Sequence, residues 1–160
     1  MDFQDGIVGT VASDPAGVVA RAVVALEAAR GAGIPVAYVV HRGGRFEGGG
    51  PDAEIHQGVR PGDGERVIAK TRAGPFSTTG LDVFLRETGR DTLVLMGVAT
   101  SGCVLSAVRW AADIGYALVV VADACDDRDP EVHRVLTEKV FPRQATVMTA
   151  DEFVAAAGAM

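Results

Sequence analysis

The run Thr92-Leu93-Val94-Leu95-Met96 is apolar or β-branched throughout and shows no alternation. It leads into the small-residue turn Gly97-Val98-Ala99-Thr100-Ser101-Gly102, after which Cys103, Ala107, Trp110, Ala111 and Ile114 recur at helical spacing. An unbroken apolar run is the pattern of a strand buried on both faces, and Gly115 supplies a helix stop. Few folds accept such a joint. It reads as the carboxyl end of a parallel strand in a helix-covered sheet, the rim where open α/β sheets hold their ligands. A cysteine in the first turn of the next helix lies near that helix's positive end, which favours thiolate over thiol. The competing reading is a small buried cysteine that fills space. The small neighbours Gly97, Ala99, Ser101 and Gly102 favour the nucleophile.

The rest of the chain alternates helix and strand. Asp14-Pro15 supplies an N-cap and a first helical residue, and Val18, Val19, Ala22, Val23, Leu26 and Ala29 form one apolar stripe ending at Gly31. Residues 35–40 read as a strand, 66–70 as a short strand and 79–88 as a helix closed by Gly89. Residues 116–122 form a second doubly buried strand, Asp129-Pro130 opens a helix to about Val140, and 145–148 is a last strand before a terminal helix. Residues 42–64 are rich in Gly, Pro and charge and too long for a plain connector, so they read as a loop carrying part of a site. The pattern predicts a three-layer, Rossmann-like α/β fold: one mostly parallel sheet with helices on both faces and right-handed crossovers. Residues 1–160 read as a single domain without internal repeats.

Composition removes several classes of function. A net charge of −6 without any basic cluster argues against nucleic acid. No apolar run approaches the roughly 20 residues of a membrane span. The acidic start MDFQDG lacks a secretory leader pattern, and two cysteines make no disulfide framework, so the expected location is cytoplasmic. The turn at 97–103 is not a dinucleotide fingerprint and no phosphate-cradling loop is evident, which weakens a flavodoxin-like cofactor binder.

Asp2, Lys70 and Cys103 all fall at expected strand ends on one rim. A carboxylate, an ammonium and a thiol together make a base, a cationic stabiliser and a nucleophile. Singly, Asp2 reads as a solvated terminal residue and Lys70 as a rim charge; jointly they read as a site.

The segments MDFQ (1–4), KTRAGPFSTTGLD (70–82), GVATSGCV (97–104), RWAADIGY (109–116) and VVADACDDRDPEVH (120–133), in that order, resemble the isochorismatase-like cysteine hydrolases. That superfamily includes nicotinamidases, N-carbamoylsarcosine amidohydrolases and ureidoacrylate hydrolases. The resemblance implies that Asp2 is the acidic base, Lys70 the lysine and Cys103 the nucleophile of a catalytic triad, with a cis peptide at Val98–Ala99. It implies hydrolysis of a small amide, carbamoyl or ureido compound through a thioester. The oxyanion would be held by the backbone N–H of Cys103 and of Ala99 or Thr100. Phe3, Gln4, His41 and Phe76 would flank the substrate; ordinary core packing competes for Phe3 and Phe76. Thr71 and Arg72 would orient a polar substrate or form a solvated loop. Cys103 argues against the vinyl-ether isochorismatases, which typically lack the cysteine.

The expected partner is a small-molecule substrate, with no cofactor, and family habit implies a homo-oligomer, either dimer or tetramer. No metal is expected: the loop after the strand at 35–40 carries His41 and His56 but no Asp-x-His. Cys125 reads as a packed small residue, and His133 as structural or at the pocket's edge. The family also has an apolar strand before its Asp-x-Gln, whereas only Met1 precedes Asp2 here. The first strand is therefore expected to be missing from this sequence, with Asp2 poorly anchored. A non-catalytic metabolite-binding or thiol-sensing relative of the same fold is the alternative.

Overall fold

Helix α2 (Pro15–Gly31) begins where the sequence places it: Asp14 Oδ1 accepts the Gly17 N–H at 3.0 Å and Pro15 fills the first position. The same device opens α5 (Pro130–Val135), where Asp129 accepts the Glu131 N–H at 2.9 Å. A capping box of Thr149 and Glu152 starts α6 (Ala150–Ala157). The computed structural model describes residues 1–159. Its strands are β1 (Ala37–His41), β2 (Arg66–Lys70), β3 (Thr92–Val98), β4 (Ala117–Asp126) and β5 (Thr146–Met148), all parallel where they pair.

Strand β4 shows why two apolar layers form. Leu118 and Val120 face a cluster built with Leu81 and Leu85 of α3 (Leu81–Glu87) and Ala107, Val108 and Ala111 of α4 (Leu105–Asp113). Val121 faces the opposite cluster, built with the α2 stripe and Phe153 of α6. Successive strand residues point to opposite faces, so a continuous apolar run serves both layers. The three-layer α/β reading holds.

The strands form two ladders, β2-β1 and β3-β4-β5, rather than one. Met1 and Asp2 lie between them: Met1 N donates to Met96 O at 2.8 Å, Val98 N to Met1 O at 3.3 Å, and Asp2 N to Val39 O at 2.8 Å. Upstream of that bridge β3 is not doubly buried. Val94 is 38% exposed and Leu93 and Leu95 are half-buried, which corrects the reading of residues 92–96. The physical reason is that β3 pairs through one edge with β4 and meets only Met1 at the other.

Helix α1 (Asp5–Val11) has no counterpart in the sequence reading. Its DGIVGTV composition is poor in helix formers, so packing holds it: Ile7 and Val8 are buried against the α2 layer. Residues 42–64 fold as three single turns of 3-10 helix, at Gly44–Phe46, Pro51–Ala53 and Gln57–Val59. Trp110, placed by periodicity on the inward stripe of α4, is 48% exposed.

Candidate active site

Lys70 ends β2, and its side chain is 1% exposed. Its Nζ lies 2.7 Å from Asp2 Oδ2 and donates to Arg72 O at 3.1 Å. Asp2 is buried, with φ at +57°, a left-handed conformation that Asp tolerates better than most residues. The expectation of a poorly anchored Asp2 is overturned: its N–H is bonded to Val39 and its carboxylate to Lys70. Asp2 Oδ1 is the one buried side-chain N or O atom among the described residues without a hydrogen-bond partner. An ionised carboxylate oxygen kept dry and unpaired is costly, so it points to a proton or donor supplied during function.

Cys103 sits in a wide, π-type turn (Thr100–Val104) that joins β3 to α4. The peptide between Val98 and Ala99 is cis. The sulfur is almost sealed from solvent and lies 3.6 Å from Ala99 O, in donor geometry. Burial and then the Asp2 carboxylate push the thiol far above its ordinary range, outweighing the N-terminal ammonium and Lys70. This shift runs against the expectation that the helix end favours a thiolate: burial favours the thiol. The Ser101 N–H at the start of the turn is already taken by the Asp127 carboxylate at 2.7 Å, which offsets the positive helix end.

The turn's amides divide cleanly. Ser101 donates to Asp127, Gly102 and Val104 donate to Ala99 O, and Leu105 donates to Gly102 O and Thr100 O. The turn's other N–H groups belong to Ala99, Thr100 and Cys103, the positions that the resemblance implies as oxyanion donors.

The flanking residues expected at the substrate have other company. Gln4 is fully buried and its amide is engaged: Oε1 accepts the His41 N–H at 2.6 Å while Nε2 donates to His41 O at 3.1 Å and Ala53 O at 2.9 Å. It fastens the end of β1 to the 42–64 loop. His41 stacks edge-on against Phe46 with centroids 5.8 Å apart. Burial, then Lys70, hold its pKa below the ordinary value. Phe3 packs in the α2 layer and Phe76 in the α4 layer beside Tyr116, as core residues do. Thr71 and Arg72 are exposed. A cavity of about 620 Å³ is lined by Asp5, Gly50, Glu54, His56 and Arg60 among others, and by none of the three candidate catalytic residues. Among the described residues no three His, Cys, Asp or Glu side chains are grouped to hold a metal ion. No helix among them is long and apolar enough to cross a membrane.

Residues 1–152 match the model of the isochorismatase domain. The chain belongs to the isochorismatase family. It is 37% identical over 92 residues to the isochorismatase family protein YwoC of Bacillus subtilis (strain 168), covering 58% of this chain and 49% of that one. It is 33% identical over 127 residues to the N-carbamoylsarcosine amidase of an Arthrobacter species, covering 66% and 48%. The chain thus spans about half the length of the curated relatives it matches. Among solved structures, an isochorismatase family protein from Burkholderia thailandensis superposes with a TM-score of 0.87 at 27% identity, over 98% of this chain and 92% of that one. One from Desulfovibrio vulgaris gives 0.87 at 28%, over 98% and 95%. The fold family is the one its sequence motifs resemble.

Sequence reasoning missed Asp127, whose buried carboxylate holds the cysteine turn. The signal available was the run Cys125-Asp126-Asp127 at the end of an apolar strand, since carboxylates at such a place need partners.

Proposed function

We propose that the protein is a cysteine hydrolase of a small amide, carbamoyl or ureido compound, working through a thioester. The observation that carries this reading is the dry Asp2–Lys70 pair, with Asp2 Oδ1 left without a partner and its charge felt by the buried Cys103 thiol. Relatives named as N-carbamoylsarcosine amidase and maleamate amidohydrolase support the substrate class.

Because burial favours the thiol, its proton leaves as the S–C bond forms rather than beforehand. Asp2 Oδ1 takes that proton while Sγ attacks the carbonyl carbon. The oxyanion is met by backbone amides of the turn, and Lys70 compensates the negative charge. Asp2 then returns the proton to the leaving nitrogen, the C–N bond breaks, and ammonia or an amine departs. Water, deprotonated by Asp2, attacks the thioester and releases the acid and the thiol.

Ammonia release from nicotinamide, N-carbamoylsarcosine, maleamate and ureidoacrylate, with Cys103→Ala and Asp2→Asn beside the parent protein, tests the reading. Turnover that both substitutions abolish is expected, with an acyl adduct on Cys103 in intact mass. Turnover that survives Cys103→Ala would remove the thiol from the chemistry.

A further inference from the structure

The cysteine turn is held from outside by two side chains that the thioester chemistry does not use. Asp127, just past the end of β4, is buried, and its Oδ2 accepts the Ser101 N–H at 2.7 Å. His133, on α5, places Nδ1 2.8 Å from the hydroxyl of Thr100, whose side chain is fully buried. Both contacts fall on the residues between the cis peptide and Cys103.

Asp127 is itself braced. Its N–H donates to Asp126 Oδ1 at 2.7 Å. The Asp126 carboxylate also accepts the Ser13 hydroxyl at 2.8 Å and the Asp14 N–H at 2.7 Å. Arg128 donates to Thr10 O at 2.9 Å. Three consecutive residues therefore tie the end of α1 and its following loop to the turn that carries the sulfur. Asp2 lies three residues before α1, so the strap connects the segment bearing the base to the segment bearing the nucleophile.

We propose that Asp127 is a positioning residue for the oxyanion amides, seconded by His133 through Thr100. This rests on the thioester reading above. By taking the Ser101 N–H, Asp127 removes that donor from competition and fixes the rotation of the peptides on either side. The N–H groups of Thr100 and Cys103 are then held in one orientation before any charge develops. His133 fixes Thr100 from the opposite end of the same residue. Preorganised donors act without reorganisation cost at the moment of reaction, so a turn that is tied differs from a free one in kcat rather than in substrate binding.

The test compares Asp127→Ala, Asp127→Asn, Thr100→Val and Cys103→Ala in the full chain, using an amide that the parent protein hydrolyses. Asp127→Ala is expected to lower kcat about 100-fold with KM unchanged, since small misplacements of a site carry penalties of that size. Alkylation of Cys103 by iodoacetamide, which develops no oxyanion, is expected to keep the parent rate. Asp127→Asn retains an acceptor for Ser101 and is expected to recover most of kcat. Thr100→Val keeps the volume, loses the His133 bond and is expected to lower kcat about tenfold, the size of one hydrogen bond. Full kcat in Asp127→Ala, while Cys103→Ala is inactive, would overturn the positioning role and leave the thiol reading intact. Alkylation falling in step with kcat would also overturn it, by showing a collapsed site. Activity retained in Cys103→Ala would overturn both proposals together.

Discussion

Lys70 Nζ and Asp2 Oδ2 meet at 2.7 Å, with side chains 1% and 7% exposed. A pair so dry cannot lose one member cheaply. Removing either partner of a buried ion pair strands the other charge, at about 3–5 kcal/mol. Lys70→Met is therefore expected to lower the unfolding free energy by that amount, and Asp2→Asn/Lys70→Met to recover most of the loss. Both variants are expected to be inactive. Urea titrations of the single and double variants check the coupling. Equal stability of Lys70→Met and the parent would mean that the pair opens to water in solution.

The two cysteines set an alkaline limit. Burial pushes the Cys125 thiol up to about 12 and Cys103 further still, against an ordinary value of 9.0. A folded-state pKa above the unfolded value gives stability that is complete below pH 9 and lost as pH climbs towards the folded value. Each buried thiol adds about 1.4 kcal/mol of loss per pH unit in that window. Cys125→Ala is expected to flatten the fall in unfolding free energy between pH 9 and 11 while leaving neutral-pH turnover in place. Denaturation series across that range measure it; identical slopes would contradict the burial of Cys125.

Gln4 joins β1 to the long loop by three hydrogen bonds to His41 and Ala53. Gln4→Ala is expected to cost about 1–3 kcal/mol for each buried group left unpaired. The loosening should be local. Hydrogen exchange is expected to rise at the His41 amide and across 42–64 and to stay unchanged in α6. Uniform acceleration over the whole chain would mean global destabilisation instead.

Much of this was legible in the residues themselves. Asp14-Pro15 and Asp129-Pro130 mark helix starts because capping is a local matter of a few atoms, and both caps are present. The strand at 66–70 has the same limits in sequence and structure. Lys70 ends β2 and Cys103 lies just past β3, as the topological rule that parallel strands present their carboxyl ends on one rim leads one to expect. What could not be read depends on non-local terms. Helix α1 exists through burial of Ile7 and Val8 and not through propensity. The exposure of Val94 depends on what lies beside β3, which the run 92–96 does not encode. The upward shift of the Cys103 thiol comes from desolvation and from Asp2, both brought by distant segments, whereas the helix end visible in the sequence points the opposite way.

Gly97 shows how tightly the base and nucleophile segments are joined. A Cβ placed on it would fall on the carbonyl oxygen of Met1, with Met1 Cβ at 3.1 Å as well. That carbonyl accepts the Val98 N–H, and Met1 precedes Asp2 directly. Backbone cannot yield as a flexible side chain would, so Gly97→Ala must displace the Met1–Asp2 segment from β3. Overpacking of this kind costs about 1–3 kcal/mol in stability. The effect on turnover is expected to be larger than that figure implies, because the displaced atoms carry the carboxylate that must reach the sulfur. Gly9→Ala, in α1 with open space around it, serves as the control and is expected to be neutral or slightly stabilising. Thermal unfolding paired with turnover for both variants separates the effects: loss of activity in Gly97→Ala at a temperature where it remains folded would place the damage at Asp2. Full activity there would mean that the Met1–β3 contact does not govern the site.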